Sequence, residues 1–535
     1  MRATESRITK SDDMWVTQVY PRGFRTCPRS FCTAMLPMSC LWMWMVVREG
    51  SVSLASGRSS KPMNETSSGT RIPRSMNARI APLARMSLSA KKAVGSSGSW
   101  LSHSLAPEYA VESFVPTCMT LAAKFKAEKI DGLFIPHGNF GTEYECARLA
   151  KELDVPVLLW GPRDEAPLEN GIRLRDTQCG LFATGKVLRR FDVPFTYMTN
   201  CRLDDPEFKR GLFDFLAVCN VVKKFRNMRI LQIGPRPFDF WSTMCNEGEL
   251  LEKFNIQLAP IPLPELTDAM KDAEKNEPDV VDGVVAYCHE NMTCDISEDL
   301  LRNVASLKVA MRNLATKYGA SAIVIQCWNA LQGQIGIMPC AANSLLNEEG
   351  LPVVCETDVH GAISQVLAEA ATLGDTRAMF ADWTVRHPTN DNGELLQHCG
   401  PWPISVAREK PAICVPVAFD HNGAVSAEAK PGKLTIMRVD GDHGEYSMLL
   451  GHARGCDGPF TKGTYLWIEV NNLKRLEAKV VEGPYIHHCV AIHADIVPIL
   501  YEACKYIGIK PDLYDSIEDK VKAYLHGEDV TFDEV

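Results

Sequence analysis

The sequence predicts an α/β protein with two doubly wound parallel units, followed by a β-rich C-terminal part built as an antiparallel barrel or sandwich. Three observations predict it. Strand-length apolar runs alternate with helical spacings from about Leu121 onward. The alternation restarts after about Asn200. Beyond about Asp375 it gives way to short strand-like runs punctuated by Gly, Asp and Pro.

In the first unit, 120–129 has helical spacing and Ile130–Pro136 is an apolar run closing in a turn. Residues 142–153 are helical, and Val155–Trp160 is a buried-type strand. His137-Gly138-Asn139-Phe140-Gly141 lies after a strand and before a helix, where open α/β sheets bind ligands. In the second unit, 208–225 reads as a helix, Met228–Gly234 as a strand and 247–254 as a helix. Val280–Tyr287 reads as a strand, 299–318 as a helix and Ala322–Gln326 as a strand. In the last part, 413–419, 432–439, 445–451, 464–470 and 476–481 read as strands, and 493–507 as a helix.

The chain has 535 residues, 46% hydrophobic and 23% charged, which is globular composition with ample core. Its net charge is −9, without a basic stripe, which argues against nucleic acid as a partner. The charge is unevenly spread. Residues 1–110 hold 15 Lys+Arg against 6 Asp+Glu, and the rest 42 against 60. The division that follows is a basic, Ser/Met-rich leader at 1–110, a short first α/β domain at 111–200, a second at 201–375, and a β-rich domain with a terminal helix at 376–535. The leader reads as a disordered or misassigned extension, with a targeting segment or an atypical domain as alternatives. Its apolar run Phe31–Val47 is short for a membrane span and contains Pro37, so no membrane partner is expected. The 19 cysteines include no C-x-x-C pair, and they read as free thiols in a reducing cytoplasm.

Ten of the 13 histidines follow residue 350, where four segments carry candidate chemistry. Glu356 directly follows the apolar run Leu351–Val354 and opens a helix, a position suited to meeting a cation; Asp358 reads as that helix's cap. Asp382 ends the apolar stretch Met379–Ala381, and His398 sits in Gln397-His398-Cys399-Gly400. Taken singly, these two read as a cap and an ordinary structural histidine. In the pair His487-His488, strand alternation lets one of the two enter a given site, and His488 is preferred.

Two carboxylates and one or two imidazoles make a mixed N/O shell that suits Mn²⁺ or Mg²⁺ better than a soft ion. A divalent ion can hold adjacent carbonyl and hydroxyl oxygens of a sugar and acidify the neighbouring C–H. One carboxylate then removes the proton and another returns it to the next carbon, which is aldose–ketose isomerisation through an ene-diol. No redox cofactor is needed, consistent with the missing G-x-G-x-x-G fingerprint. A non-catalytic sugar-binding or regulatory protein on the same scaffold is the alternative.

The segments IPHGNFGTEYECARLAKELDVPVLLWGPRDE (135–165), DTQCGLFATGKVLRR (176–190), IGPRPFDFWSTMCNEGELLEKF (233–254), CWNALQ to CETDVHGAISQ (327–365), ADW (381–383), HCG (398–400) and HHCVAIHAD (487–495) occur in this order. Together they resemble the L-fucose and L-arabinose isomerase superfamily, most closely its fucose-isomerase-like branch, over about residues 120–510. The resemblance implies two Rossmann-like domains and a β-rich C-terminal domain. It also implies a Mn²⁺ ion held by Glu356 and Asp382, which double as the proton-moving groups, with His488 as a further ligand. His398 is implied as a ligand or sugar contact. The implied substrate is a free sugar of the L-fucose, D-arabinose or L-arabinose type, and the implied assembly a cytoplasmic homo-oligomer, hexameric or trimer-based.

Overall fold

The computed structural model describes residues 45–47, 119–141, 143–328, 330–415, 421–515 and 518–532. Apart from 45–47, the leader expectations lie outside the described residues, as does 416–419 of the strand expected at 413–419. The described chain divides into two compact units between Cys219 and Asn220, with Leu525–Gly527 belonging to the first.

The first unit is built on β2 (Gly132–Pro136), β3 (Val157–Trp160) and β4 (Thr196–Tyr197), mutually parallel, with β1 (Met45–Val47) antiparallel beside β2. Alternation along the strands explains why both faces are covered. Leu133, Ile135, Val157 and Leu159 pack with the helical segment 119–127 and the helices Glu143–Leu153 and Thr177–Arg190. Phe134, Leu158 and Trp160 turn to the other face, against Phe208, Leu212 and Phe215 of the helix Pro206–Phe225.

The second unit begins with a parallel sheet: β5 (Arg229–Ile233), β6 (Gln257–Ile261), β8 (Ala322–Ile325) and β9 (Val353–Val354). They lie in the order β6-β5-β8-β9. The order reverses between β5 and β8, and the segments leaving β5, β8 and β9 emerge at the same edge. Carboxyl ends beside such a reversal are where α/β sheets place ligands.

The β-rich part contains a closed barrel rather than a sandwich. Its strands are β10 (Ala378–Arg386), β11 (Gly393–His398), β14 (Lys433–Asp442), β15 (Glu445–Gly455), β16 (Thr464–Glu469) and β17 (His488–Ile492). They pair in the ring β15-β14-β17-β10-β11-β16, and β16 returns to β15 to close it. β18 (Lys510–Leu513) adds to β15, while β13 (Ala424–Glu428), β12 (Ala412–Cys414) and β7 (Thr293–Cys294) extend from β16. Met379, Ala381, Leu396, Ile436, Leu449, Leu466, Ile468, Cys489 and Ala491 share one apolar cluster. Alternation therefore leaves Phe380 and Asp382 of β10, and His488 and Val490 of β17, on the opposite face.

Two strand expectations are corrected. Val280–Tyr287 lies within the helix Pro278–Asn291, where Val281, Val284 and Cys288 are buried at helical spacing. A short apolar run bounded by polar residues carries no period that separates the two states. Residues 476–481 lie in the helix Leu473–Glu482; the Asn472 side chain accepts from the Arg475 amide and starts it, and Leu473 and Leu476 are its buried residues. Among the described residues, no helix is long and apolar enough to cross a membrane, and the cysteines are free thiols.

His452 of β15 ties the barrel to the following chain. Its Nδ1 lies 2.9 Å from Asp515 Oδ2 and its Nε2 3.2 Å from Asp495 Oδ1. Burial alone would lower its pKa, but the two carboxylates outweigh burial and raise it to about 9. The unfolded value is about 6.5, so the folded state holds the proton more tightly. The resulting stabilisation is full below pH ~6.5 and fades as pH rises toward ~9. The stability difference between wild type and His452→Gln, from urea melts, should shrink steadily across that window. A difference independent of pH from 6 to 9.5 contradicts this.

Candidate active site

The four candidate groups come from separated parts of the second unit, and the topology explains how they meet. Glu356 leaves the end of β9 in a short 3₁₀ turn, Cys355–Thr357, next to the end of β8. Asp382 and His488 face one another across the β10–β17 pair, since their Cα positions are register partners. His398 ends β11, one residue beyond Gln397, the partner of Asp382. The helix Val359–Ala371 packs against β10, β14 and β17, which brings the turn carrying Glu356 onto the strand face that holds Asp382 and His488.

The resulting cluster is tight. Glu356 Oε2 is 3.5 Å from His398 Nε2 and 3.8 Å from His488 Nε2. Asp382 Oδ1 is 3.3 Å from His488 Nε2 and 4.0 Å from His398 Nε2. Phe380 packs against both imidazoles, at 5.4 Å from His398 and 4.8 Å from His488 between ring centroids. Glu356, His398 and His488 are buried, whereas the Asp382 side chain is 30% exposed, so the cluster opens on the Asp382 side. His487 is exposed, yet one of its ring nitrogens lies within 4.8 Å of ligand atoms of Asp382 and His488. Its ring lies 6.3 Å from Phe240, which in turn makes an edge contact with Trp328.

The donor set fits a hard divalent ion. Glu356 Oε2, Asp382 Oδ1 and His398 Nε2 are buried atoms without a hydrogen-bond partner, a costly state for polar groups unless another ligand satisfies them. Ligands at about 2.0–2.6 Å from a common ion stand roughly 3–5 Å from each other, the spacing seen here. Three groups of possible ligands occur among the described residues: Glu356/His398/His488, Asp382/His487/His488 and Cys327/Cys355/Glu356.

The two imidazoles differ. His488 Nδ1 meets Asp358 Oδ2 at 2.8 Å, which fixes the proton on Nδ1 and turns the Nε2 lone pair toward Glu356 and Asp382. His398 Nδ1 instead accepts the Cys399 amide at 2.9 Å, so Nε2 is the nitrogen that holds a proton. Burial works against a charged His398, but Asp382 and Glu356 outweigh it and raise its pKa well above the usual value. Burial likewise works against ionised Glu356, but His398 and His488 overcome it and lower its pKa from the ordinary value.

Strain and support coincide at Glu356. Glu356 and Thr357 both adopt left-handed backbone, with φ of 53° and 52°, which costs on the order of 1–3 kcal/mol at each non-glycine residue. The Glu356 amide donates to Cys327 Sγ at 3.4 Å, and Thr357 Oγ1 donates to the Glu356 carbonyl at 2.7 Å. Cys327 Sγ also donates to Glu356 Oε1 at 3.1 Å, leaving Oε2 for the cluster.

Asp358 does cap the helix, accepting from the Gly361 amide at 2.9 Å, but the same carboxylate also orients His488 and binds Arg438 at 2.6 Å. Arg438 is shared with Asp440, whose other oxygen lies 2.9 Å from His360 Nδ1. Burial would raise the Asp358 pKa, but Arg438 and His488 hold it well below normal. Gly361 is needed here: a Cβ would stand 2.6 Å from Phe380 and 2.7 Å from Asp358 Oδ2. Sequence reasoning missed Arg438 and Cys327. An arginine inside the apolar run Leu434–Val439 was the available signal for the first.

Comparison with known proteins supports an aldose–ketose isomerase. A family model described as "Fucose/sulfoquinovose isomerase, N-terminal domain" matches residues 103–226. Sulfoquinovose isomerase of Priestia megaterium is 24% identical over 417 residues, covering 77% of this chain and 91% of that protein. The enzyme of the same name from Alkalicoccus urumqiensis is 25% identical over 353 residues, covering 65% and 78%. That of Clostridium sp. (strain MSTE9) is 23% identical over 400 residues, covering 72% and 86%. These likenesses support the fucose isomerase-like superfamily, which the chain's motifs suggested.

Replacing Asp358 with Asn should leave Arg438 with one buried anionic partner and free the His488 ring. Breaking such a buried pair costs about 3–5 kcal/mol, measurable by chemical denaturation. A loss under about 1 kcal/mol contradicts the account of Asp358.

Proposed function

We propose that the protein isomerises a free aldose to its ketose using one divalent cation, with Glu356, Asp382 and His488 as its protein ligands. The observation carrying this reading is the pair of carboxylates with unpartnered oxygens facing the lone pair of His488. His398 has a different role: its Nε2–H, set by the Cys399 amide, is a donor for a sugar oxygen beside the cluster.

The bound ion would polarise the carbonyl and adjacent hydroxyl of the open-chain sugar. Asp382, on the open side, receives the sugar. Its carboxylate and that of Glu356 are the two groups that would remove the C2 proton and return it to C1. Glu356, held at Oε1 by Cys327, keeps a fixed direction for that transfer. His487, Phe240 and Trp328 offer an aromatic wall to the apolar face of a sugar at the Asp382 side.

The name shared by the relatives makes sulfoquinovose the first substrate to try, ahead of L-fucose, D-arabinose and L-arabinose. Manganese is the first ion to try, then magnesium. A homo-oligomer is the assembly that the resemblance implies.

The test is ketose formation by purified protein, stripped of metal and reloaded with Mn²⁺, across these four sugars. Turnover should vanish on chelation and return with Mn²⁺. Glu356→Gln should lower kcat by about 10²–10⁴-fold while sugar binding by calorimetry persists. Turnover that survives chelation, or that Glu356→Gln leaves intact, overturns the reading.

A further inference from the structure

Behind the hard-ligand cluster lies a second group of different chemistry. β8 and β9 are parallel neighbours, with Val324 opposite Val354. The residues just past their ends therefore meet, and Cys327 and Cys355 are brought together beside Glu356. Both thiols are buried. Cys327 Sγ, Cys355 Sγ and a Glu356 carboxylate oxygen all lie within 4.8 Å of one another. Cys327 Sγ is 3.1 Å from Glu356 Oε1, the oxygen turned away from His398 and His488.

Each sulfur also receives an N–H. The Glu356 amide donates to Cys327 Sγ at 3.4 Å, and Asn343 Nδ2 to Cys355 Sγ at 3.7 Å. Such donors orient the sulfurs, the part that outer-shell groups play around metal-bound ligands. Two sulfurs and a carboxylate oxygen suit a tetrahedral thiophilic ion, with Zn–S near 2.3 Å and a fourth position open. They do not suit Mn²⁺ or Mg²⁺.

We propose that Cys327, Cys355 and Glu356 Oε1 form a binding site for a thiophilic divalent ion such as Zn²⁺ or Cd²⁺, and that its occupation inhibits the enzyme. Two S–H protons leave to solvent as two S–metal bonds form, with no change of oxidation state. The S–H bond from Cys327 to Glu356 is lost, and Glu356 is drawn toward the soft ion. The hard cluster thereby loses the carboxylate direction it depends on. Ion binding stands on the thiol geometry alone; its inhibitory consequence rests on the function proposed above.

The experiment titrates the full chain with Cd²⁺ in a non-thiol, non-chelating reductant, following the ultraviolet thiolate-to-cadmium band. It compares wild type with Cys327→Ser, Cys355→Ser and, as a control, Cys179→Ser, which alters an exposed thiol of the first unit. Wild type and Cys179→Ser should each bind one tight equivalent that Cys327→Ser and Cys355→Ser bind at least tenfold more weakly. Mn²⁺-supported turnover should fall with that equivalent in wild type and need at least tenfold more Cd²⁺ in Cys355→Ser. A tight equivalent kept by both cysteine variants overturns the site. Binding as expected without loss of turnover overturns only the inhibition. Zinc-edge absorption of wild type at one equivalent guards against variants that misfold: two sulfur neighbours are expected, and a shell of nitrogen and oxygen alone overturns the proposal.

Discussion

Two buried carboxylate oxygens, Glu356 Oε2 and Asp382 Oδ1, face the same pair of imidazoles without a hydrogen bond to either, and much of the surrounding structure is organised around that condition. Anionic groups in such a place are expensive unless positive charge answers them. Arg438, the buried guanidinium nearby, is already divided between Asp358 and Asp440. The compensation left to the cluster is protonated imidazole or a bound cation. Tethering Nδ1 of His488 to Asp358 leaves its Nε2 facing the two carboxylates.

The scaffold supplies rigidity from two directions. A parallel sheet delivers Glu356 and Cys327 from neighbouring strand ends, and a closed barrel delivers Asp382 and His488 as register partners. A barrel has no free edge along its ring, so the register that pairs these two cannot slip without exchanging core and solvent faces. The helix Val359–Ala371 is the joint. Its cap, Asp358, is at once a helix terminus, an Arg438 partner and the His488 anchor. The left-handed backbone at Glu356 and Thr357 is stored strain held in place by this joint.

Much of this was legible in the chain itself. Glu356, Asp382, His398 and His488 were readable as candidates because each stood at the end of an apolar run or beside a small residue, and the family motifs fixed their order. Period-2 alternation agrees with a buried His488 beside an exposed His487, though both rings stand near Asp382. The second role of Asp358 was not legible: a cap is a local feature, whereas its bonds to Arg438 and His488 span 80 and 130 residues. Cys327 was hidden for the same reason, since only the β8–β9 pairing brings it to Glu356. Val280–Tyr287 and 476–481 were misread because short apolar stretches look alike as helix or strand, and the start signals Pro278 and Asn472 lie outside those stretches. Barrel closure was not legible either, because it depends on β15 pairing with both β14 and β16.

The central claim is that Glu356, Asp382 and His488 close on one hard cation while His398 stands beside it as a hydrogen-bond donor. Anomalous diffraction from crystals grown with Mn²⁺ tests this most directly. The account predicts a single strong peak at about 2.0–2.4 Å from Glu356 Oε2, Asp382 Oδ1 and His488 Nε2, with His398 Nε2 outside bonding distance. A peak bonded to His398 in place of His488, or no peak at these residues at saturating Mn²⁺, would contradict it.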